Sequence, residues 1–473
     1  MLFNSFTFLV FLCTVLPVYY SLSRKAQNAF LLVASYIFYG FWDWRFLSLI
    51  FLSTVVDFFV AQRIQASDSP RDRKFLLAAS LGVNLGVLCF YKYFDFFAKS
   101  LAAILAPLGL DPPAPVLHII LPVGISFYTF QTLGYTLDVY RGRQKATRNF
   151  NDYALYVSYF PQLVAGPIER AGHLLPQIMK NRTVTRQAFY SGLSLMVLGY
   201  FKKVGLADSV APFVDHCFQA PWNRSALELY FGACLFSVQI YCDFSGYSDI
   251  ARGVSRLFGI ELMVNFRAPY FAADIRDFWR RWHISLSTWF RDYVYFPLGG
   301  NRQGEARTIR NLMATMLLCG LWHGPAWTFV IWGGLHGALL AGRRLLDRLV
   351  PGPGKALLPP FLGRIATFHM VTLAWVFFRA DNLAKAGQYL QGLLIPAAGK
   401  LTPSGPLLPM ILFFLLYMGA MILLDGRTTK TGGETLYPEA SPAWKRGMAL
   451  ALMMAMLLIL GETHEKPFLY FQF

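Results

Sequence analysis

Apolar runs of bilayer length recur along almost the whole chain, separated by short basic loops, and few folds accommodate that pattern. A membrane-crossing helix needs about 20 mostly apolar residues. Clear candidates lie near 3–20, 27–43, 46–61, 75–93, 116–137, 225–242, 362–379, 405–424 and 447–461, with weaker ones near 152–166, 187–206, 209–222 and 245–260. The spacing predicts an all-α polytopic membrane protein with about eleven membrane segments, some of them short or re-entrant. Only 15% of the residues are charged, against roughly 25% in an average soluble domain. No stretch is polar enough for a separate soluble domain, so 1–473 reads as a single membrane domain.

The basic residues set an orientation. Arg24/Lys25, then Arg63/Arg71/Arg73/Lys74, then Arg141/Arg143/Lys145/Arg148 follow every second boundary, and Arg343/Arg344/Arg348 and Arg427/Lys430/Lys445/Arg446 continue the pattern. Positive loops stay cytoplasmic, which predicts both termini outside and makes 462–473 an extracytoplasmic aromatic tail. Arg24 and Lys25 come after the first apolar run, the reverse of a signal peptide, so that run is expected to stay as a span. The net charge of +17 fits loops facing anionic lipid or an anionic cytosolic substrate, not nucleic acid. Six scattered cysteines without a CxxC spacing indicate neither a zinc site nor a disulfide framework, and Cys217 beside His216 reads as incidental.

The segment 263–342 departs from simple hydropathy and is the expected catalytic core. Its first part, to Arg310, mixes aromatic residues with Arg276, Arg280, Arg281 and Arg291. A lipid-exposed span cannot hold these arginines, whereas an interfacial or inward-facing amphipathic segment can. The apolar stretch 311–342 is bracketed by Arg310 and Arg343/Arg344, so it must turn back inside the membrane, with Gly324 and Pro325 supplying the break. His323 lies at that break, and a neutral imidazole facing a cavity there can act as a general base. His283 approaches from the amphipathic segment, and His336 reads as structural. No carboxylate or cysteine stands at ligand spacing, so no metal is expected.

Other polar residues interrupt apolar sequence. Asp249 and Arg252, three apart on one helical face, read as a mutually neutralising pair. Lys202 and Lys203 read as interfacial, and Gly166-Pro167 as a turn. The tail ends in PFLYFQF, Pro467–Phe473. It reads either as an aromatic anchor or, through the Tyr470 phenol, as a carrier that takes an acyl group and passes it on.

Several long blocks resemble a known family: ASYIFYGFWDWRF (34–46), LPVGISFYTFQTLGYTLDVYRG (121–142), YFPQLVAGPIER (159–170), FKKVGLADSV (201–210), YCDFSGYSDIARG (241–253), RDFWRRWHISLSTWFRDYVYFPLGGNR (276–302) and LWHGPAWTFVIWGGLHG (321–337). The chain resembles the membrane-bound O-acyltransferases, in particular the bacterial branch that O-acetylates alginate, and more distantly the D-alanyl transfer proteins of teichoic acid synthesis. The resemblance implies a ring of helices thinned at its centre by a funnel. It also implies that His323 is the essential histidine and His283 the second recurrent one.

The same resemblance implies a bacterial inner-membrane enzyme taking acetyl groups from cytosolic acetyl-CoA, with Arg276, Arg280, Arg281 and Arg291 as candidate donor contacts. The acceptor would be an exported polysaccharide, reached through an extracytoplasmic SGNH-type transferase partner, because the chain carries no GxS-type or other nucleophile domain of its own. Acylation of a lipid or protein hydroxyl is one alternative. A transporter or flippase is another, although no internal inverted repeat is evident.

Overall fold

A computed structural model describes residues 1–109, 117, 119–164, 166–349, 358–395, 406–431, 441–460 and 466–469, and among these every regular element is helical. Two compact units divide the chain: Met1–Leu193 with Ala251–Met263, and Ser194–Ile250 with Val264–Phe473.

The first unit begins with α1 (Phe6–Ser21), α2 (Arg24–Asp43), α3 (Leu47–Ala66), α4 (Pro70–Leu88) and α5 (Phe94–Leu105), followed by α6 (Ile125–Tyr140) and the short helices α7 (Phe150–Ser158), α8 (Phe160–Leu163) and α9 (Ala171–Met179). Local chemistry sets several starts. Ser5 caps α1 through its side-chain oxygen, Ser69 caps α4 ahead of Pro70, and Asn149 caps α7. Between helices, polar side chains buried in apolar surroundings act as cross-links. Asp57 of α3 accepts hydrogen bonds from Ser80 and from Asn84, the latter at 2.9 Å, both on α4. Asn28 of α2 donates to Asp152 of α7 at 2.8 Å. Glu169, 1% exposed, accepts from His173 at 2.7 Å and from the Met263 N–H at 2.6 Å.

The second unit takes the end of α10 (Arg186–Tyr200), α11 (Asp208–Gln219) and most of α12 (Ala226–Leu257). It continues through α13 (Ile275–Arg281), α14 (Ile284–Phe290), α15 (Glu305–His323), α16 (Trp327–Leu349), α17 (Pro360–Arg379), α18 (Leu383–Leu394), α19 (Leu407–Thr431) and α20 (Ala443–Leu460). Two pairs of expected segments are single runs. The separate spans near 225–242 and 245–260 form one helix of 32 residues. Those near 187–206 and 209–222 are joined by a π-helical turn, Phe201–Ala207. That turn carries Lys202 and Lys203 inward, where both are buried.

The Asp249–Arg252 expectation is also corrected. Asp249 accepts from Lys202 at 2.8 Å, and Arg252 binds Glu261 at 3.0 Å. Helical spacing made the two residues neighbours, but longer-range partners of opposite charge engage both.

Among the described residues, four helical stretches are long and apolar enough to cross a bilayer on length and composition: 24–66, 70–108, 360–379 and 407–429. Others fall short of that measure in length, as the apolar α1 does, or in composition. Helix α12, for example, buries Glu228, Asp243 and Arg252.

Candidate active site

The predicted break at Gly324-Pro325 is present, and it makes a helical hairpin. Helix α15 ends at His323, Gly324 is extended (φ −159°, ψ 151°), and α16 starts at Trp327. The two helices lie close enough that only glycine fits at their contact. A Cβ on Gly320 would stand 2.2 Å from the Phe329 carbonyl oxygen, and one on Gly333 would stand 2.2 Å from that of Met316. The hairpin therefore fixes its apex, and with it the His323 ring.

His283 is fixed differently. It links α13 to α14 in the left-handed region (φ 41°, ψ 55°), a conformation uncommon outside glycine although histidine adopts it more readily than most residues. Asn265 holds the corner: its carbonyl accepts the Ile284 N–H at 2.9 Å, and its side-chain oxygen accepts Ser285 Oγ at 2.7 Å. Its amide in turn donates to Ser248 on α12 at 3.2 Å. Left-handed geometry at a residue with a candidate chemical role is a recognised sign of a conformation retained for function.

These two devices bring His283 and His323 together, with ring centroids 6.4 Å apart and planes inclined at 58°. An aromatic box surrounds them. Phe244 meets His283 edge-on at 4.6 Å, while Trp322, Trp332 and Phe378 surround His323 at 5.0, 5.0 and 5.3 Å. His323 keeps 4% of its surface and His283 none, so reagents reach either ring only when a covering side chain moves. His336 lies behind this box. It is fully buried, its Nδ1 accepts the Trp279 indole N–H at 3.3 Å, and Trp332 stands between it and His323.

The four arginines are not equivalent. Arg276 binds Asp347 at 2.5 Å, in a cluster completed by Asp274 and Arg343. Arg281 pairs with Asp277 and Arg291 with Asp292, each at 2.8 Å. Arg280 is exposed and has no carboxylate within ion-pair distance among the described residues. Tyr470 lies outside the described residues, but the chain just before it, Lys466–Leu469, is described and partly buried. The aromatic box and the Asn265 brace were not singled out from the sequence. Trp322 adjoins His323, a local signal for one wall, whereas Phe244 and Asn265 carry none.

Membrane-length helices, with buried histidines brought together at a hairpin apex and a strained corner, define the class: a polytopic membrane protein with an internal polar site. Residues 144–378 match the membrane-bound O-acyltransferase family. The chain is 40% identical over 494 aligned residues, covering 100% of both chains, to the "Probable alginate O-acetylase AlgI" of Pseudomonas putida. It is 37% identical over 420 residues to the "Peptidoglycan O-acetyltransferase" of Helicobacter pylori (81% of this chain, 79% of the relative). It is 28% identical over 283 residues to the "Teichoic acid D-alanyltransferase" of Bacillus subtilis (57% and 71%). The chain belongs to the membrane-bound O-acyltransferase family and is a multi-pass membrane O-acyltransferase.

Proposed function

We propose that this enzyme passes acetyl groups from cytosolic acetyl-CoA across a bacterial inner membrane for O-acetylation of an exported polysaccharide of the alginate type. The observation that carries the reading is the enclosed His283–His323 pair, 6.4 Å between rings. Relatives named as acting on alginate and peptidoglycan support the acceptor class. In this scheme the acceptor hydroxyl oxygen attacks the thioester carbonyl. A C–O bond forms as the C–S bond breaks, and the hydroxyl proton passes through His323 to the departing thiolate, leaving free coenzyme A thiol. His283 orients or polarises the carbonyl. Arg280, exposed and without a carboxylate partner among the described residues, is the preferred contact for the donor's phosphates.

The first acceptor in this reading is the Tyr470 phenol. Its ester then exchanges with the serine hydroxyl of an SGNH-type partner outside the membrane, regenerating the phenol, and the partner acetylates the polymer. Both chain termini lie on that outer side. The test is His323→Ala, followed by acetyl-CoA consumption of the purified protein and by ester-bound acetate on the cell-surface polymer. Loss of both supports the assignment; undiminished thioester cleavage would refute it.

A further inference from the structure

Within the second unit, residues 466–469 pack on a buried group of ions. Lys203 Nζ lies 2.7 Å from Asp208 Oδ1 and 2.7 Å from Asp243 Oδ1. The other oxygen of Asp243 accepts the Leu469 N–H at 3.0 Å, and Lys203 also reaches the Pro467 carbonyl at 3.4 Å. Lys466 donates to the Asp208 carbonyl at 3.2 Å. Between these bonds Phe468, 1% exposed, stacks on Tyr247 at 4.9 Å and touches Phe244 at 5.3 Å. Phe244 is the ring that meets His283 edge-on.

Two features of the helices create this arrangement. Gly199 and Gly246 let α10 and α12 cross in near contact: a Cβ on either would fall 2.6 or 2.7 Å from the other's carbonyl oxygen. The π-helical turn that follows then aims Lys203 at Asp243. Burying such ions is poor value for stability, since apolar residues of similar size commonly hold two helices together as well or better. What a leucine at 243 could not provide is an acceptor for the Leu469 N–H.

We infer that Asp243 and Lys203 are positioning residues for acyl transfer: they clamp the main chain at Leu469, one residue before Tyr470, so that the segment starts from a fixed point beside the ring that supports His283. The inference rests on the proposed Tyr470 relay and adds to it the device that holds the carrier.

The test uses the full-length protein with Lys203→Met/Asp243→Leu, which removes the Lys203–Asp243 pair but keeps apolar bulk and leaves Asp208 with only Lys466 nearby, alongside Asp243→Asn, which keeps an acceptor oxygen, and Tyr470→Phe. The double variant is expected to lose polymer acetylation about 100-fold, the scale set by small misplacements of a reacting group. Its KM for acetyl-CoA should stay unchanged, its melting temperature should fall because Asp208 loses Lys203, and Asp243→Asn should retain much of the transfer. A thiol introduced by Leu469→Cys should resist maleimide in the otherwise unaltered protein and react readily in the double variant. Normal transfer with a freely reacting thiol would overturn the inference, and so would a thiol that stays protected. Full transfer in Tyr470→Phe would overturn the relay instead; the clamp then stands if the double variant alone loses transfer.

Discussion

The imidazoles of His283 and His323 come together from two different constructions, a left-handed corner and the apex of a glycine-packed hairpin. Neither ring is set by the other's backbone, so each can be altered separately. His323→Gln, close in size to histidine, is expected to lower kcat for acetyl transfer by about 10²- to 10⁴-fold, the usual worth of a general base. His283→Gln should cost less if it only orients the carbonyl. Single-turnover thioester cleavage by the purified variants, compared with their melting temperatures, checks both.

Arg276 and Arg280 lie four residues apart on α13 but differ in what they already hold. Arg276→Ala leaves Asp347 and Asp274 facing Arg343 alone and is expected to lower the melting temperature. Arg280→Ala breaks no observed ion pair and is expected to raise KM for acetyl-CoA about tenfold at nearly constant kcat, the worth of one charge-assisted hydrogen bond. Steady-state kinetics and thermal unfolding of the two variants separate the roles.

Gly320 and Gly333 leave no room for a methyl group against the facing carbonyl oxygens. Gly320→Ala is expected to cost about 1–3 kcal/mol through overpacking and to shift His323. The loss should appear as a lower melting temperature in detergent together with reduced turnover. Gly342→Ala, where the added carbon meets nothing, is the neutral control.

His173 lies in a short helix outside the membrane-spanning segments, and its pKa is raised, chiefly by the hydrogen bond from its ring to the Glu169 carboxylate. A raised folded-state value means that the pair's stabilisation is complete below the unfolded histidine value, about 6.5. That stabilisation is lost as pH climbs through the folded value. His173→Gln should therefore lower the melting temperature most under mildly acidic conditions, and the gap should close under alkaline ones. Thermal unfolding of both proteins across pH measures it, and a gap that grows with pH would contradict the pairing.

Membrane character, the hairpin break and the meeting of His283 with His323 were legible because each leaves a local mark: apolar length, a Gly-Pro pair, ionisable residues in apolar sequence. What escaped was set by distance along the chain. Asp249 and Arg252 satisfy the spacing of a helical pair, yet Lys202 and Glu261 engage them. The arginines of α13 looked alike until Asp347 and Asp277 took two of them. A π-helical turn has no strong sequence signature, so one interrupted run was read as two spans and the inward aim of Lys203 was not visible. The partners that hold the Leu469 main chain lie more than two hundred residues earlier.

The aromatic box has a practical consequence. Five of the eleven tryptophans, Trp279, Trp282, Trp322, Trp332 and Trp375, touch one of the three histidines or one another around them. Close to half of the indoles of this enzyme thus lie around its candidate site. A reagent that displaces an indole from beside His323 should register as an emission change without any attached dye, giving a direct optical readout of occupancy in a protein otherwise hidden in lipid.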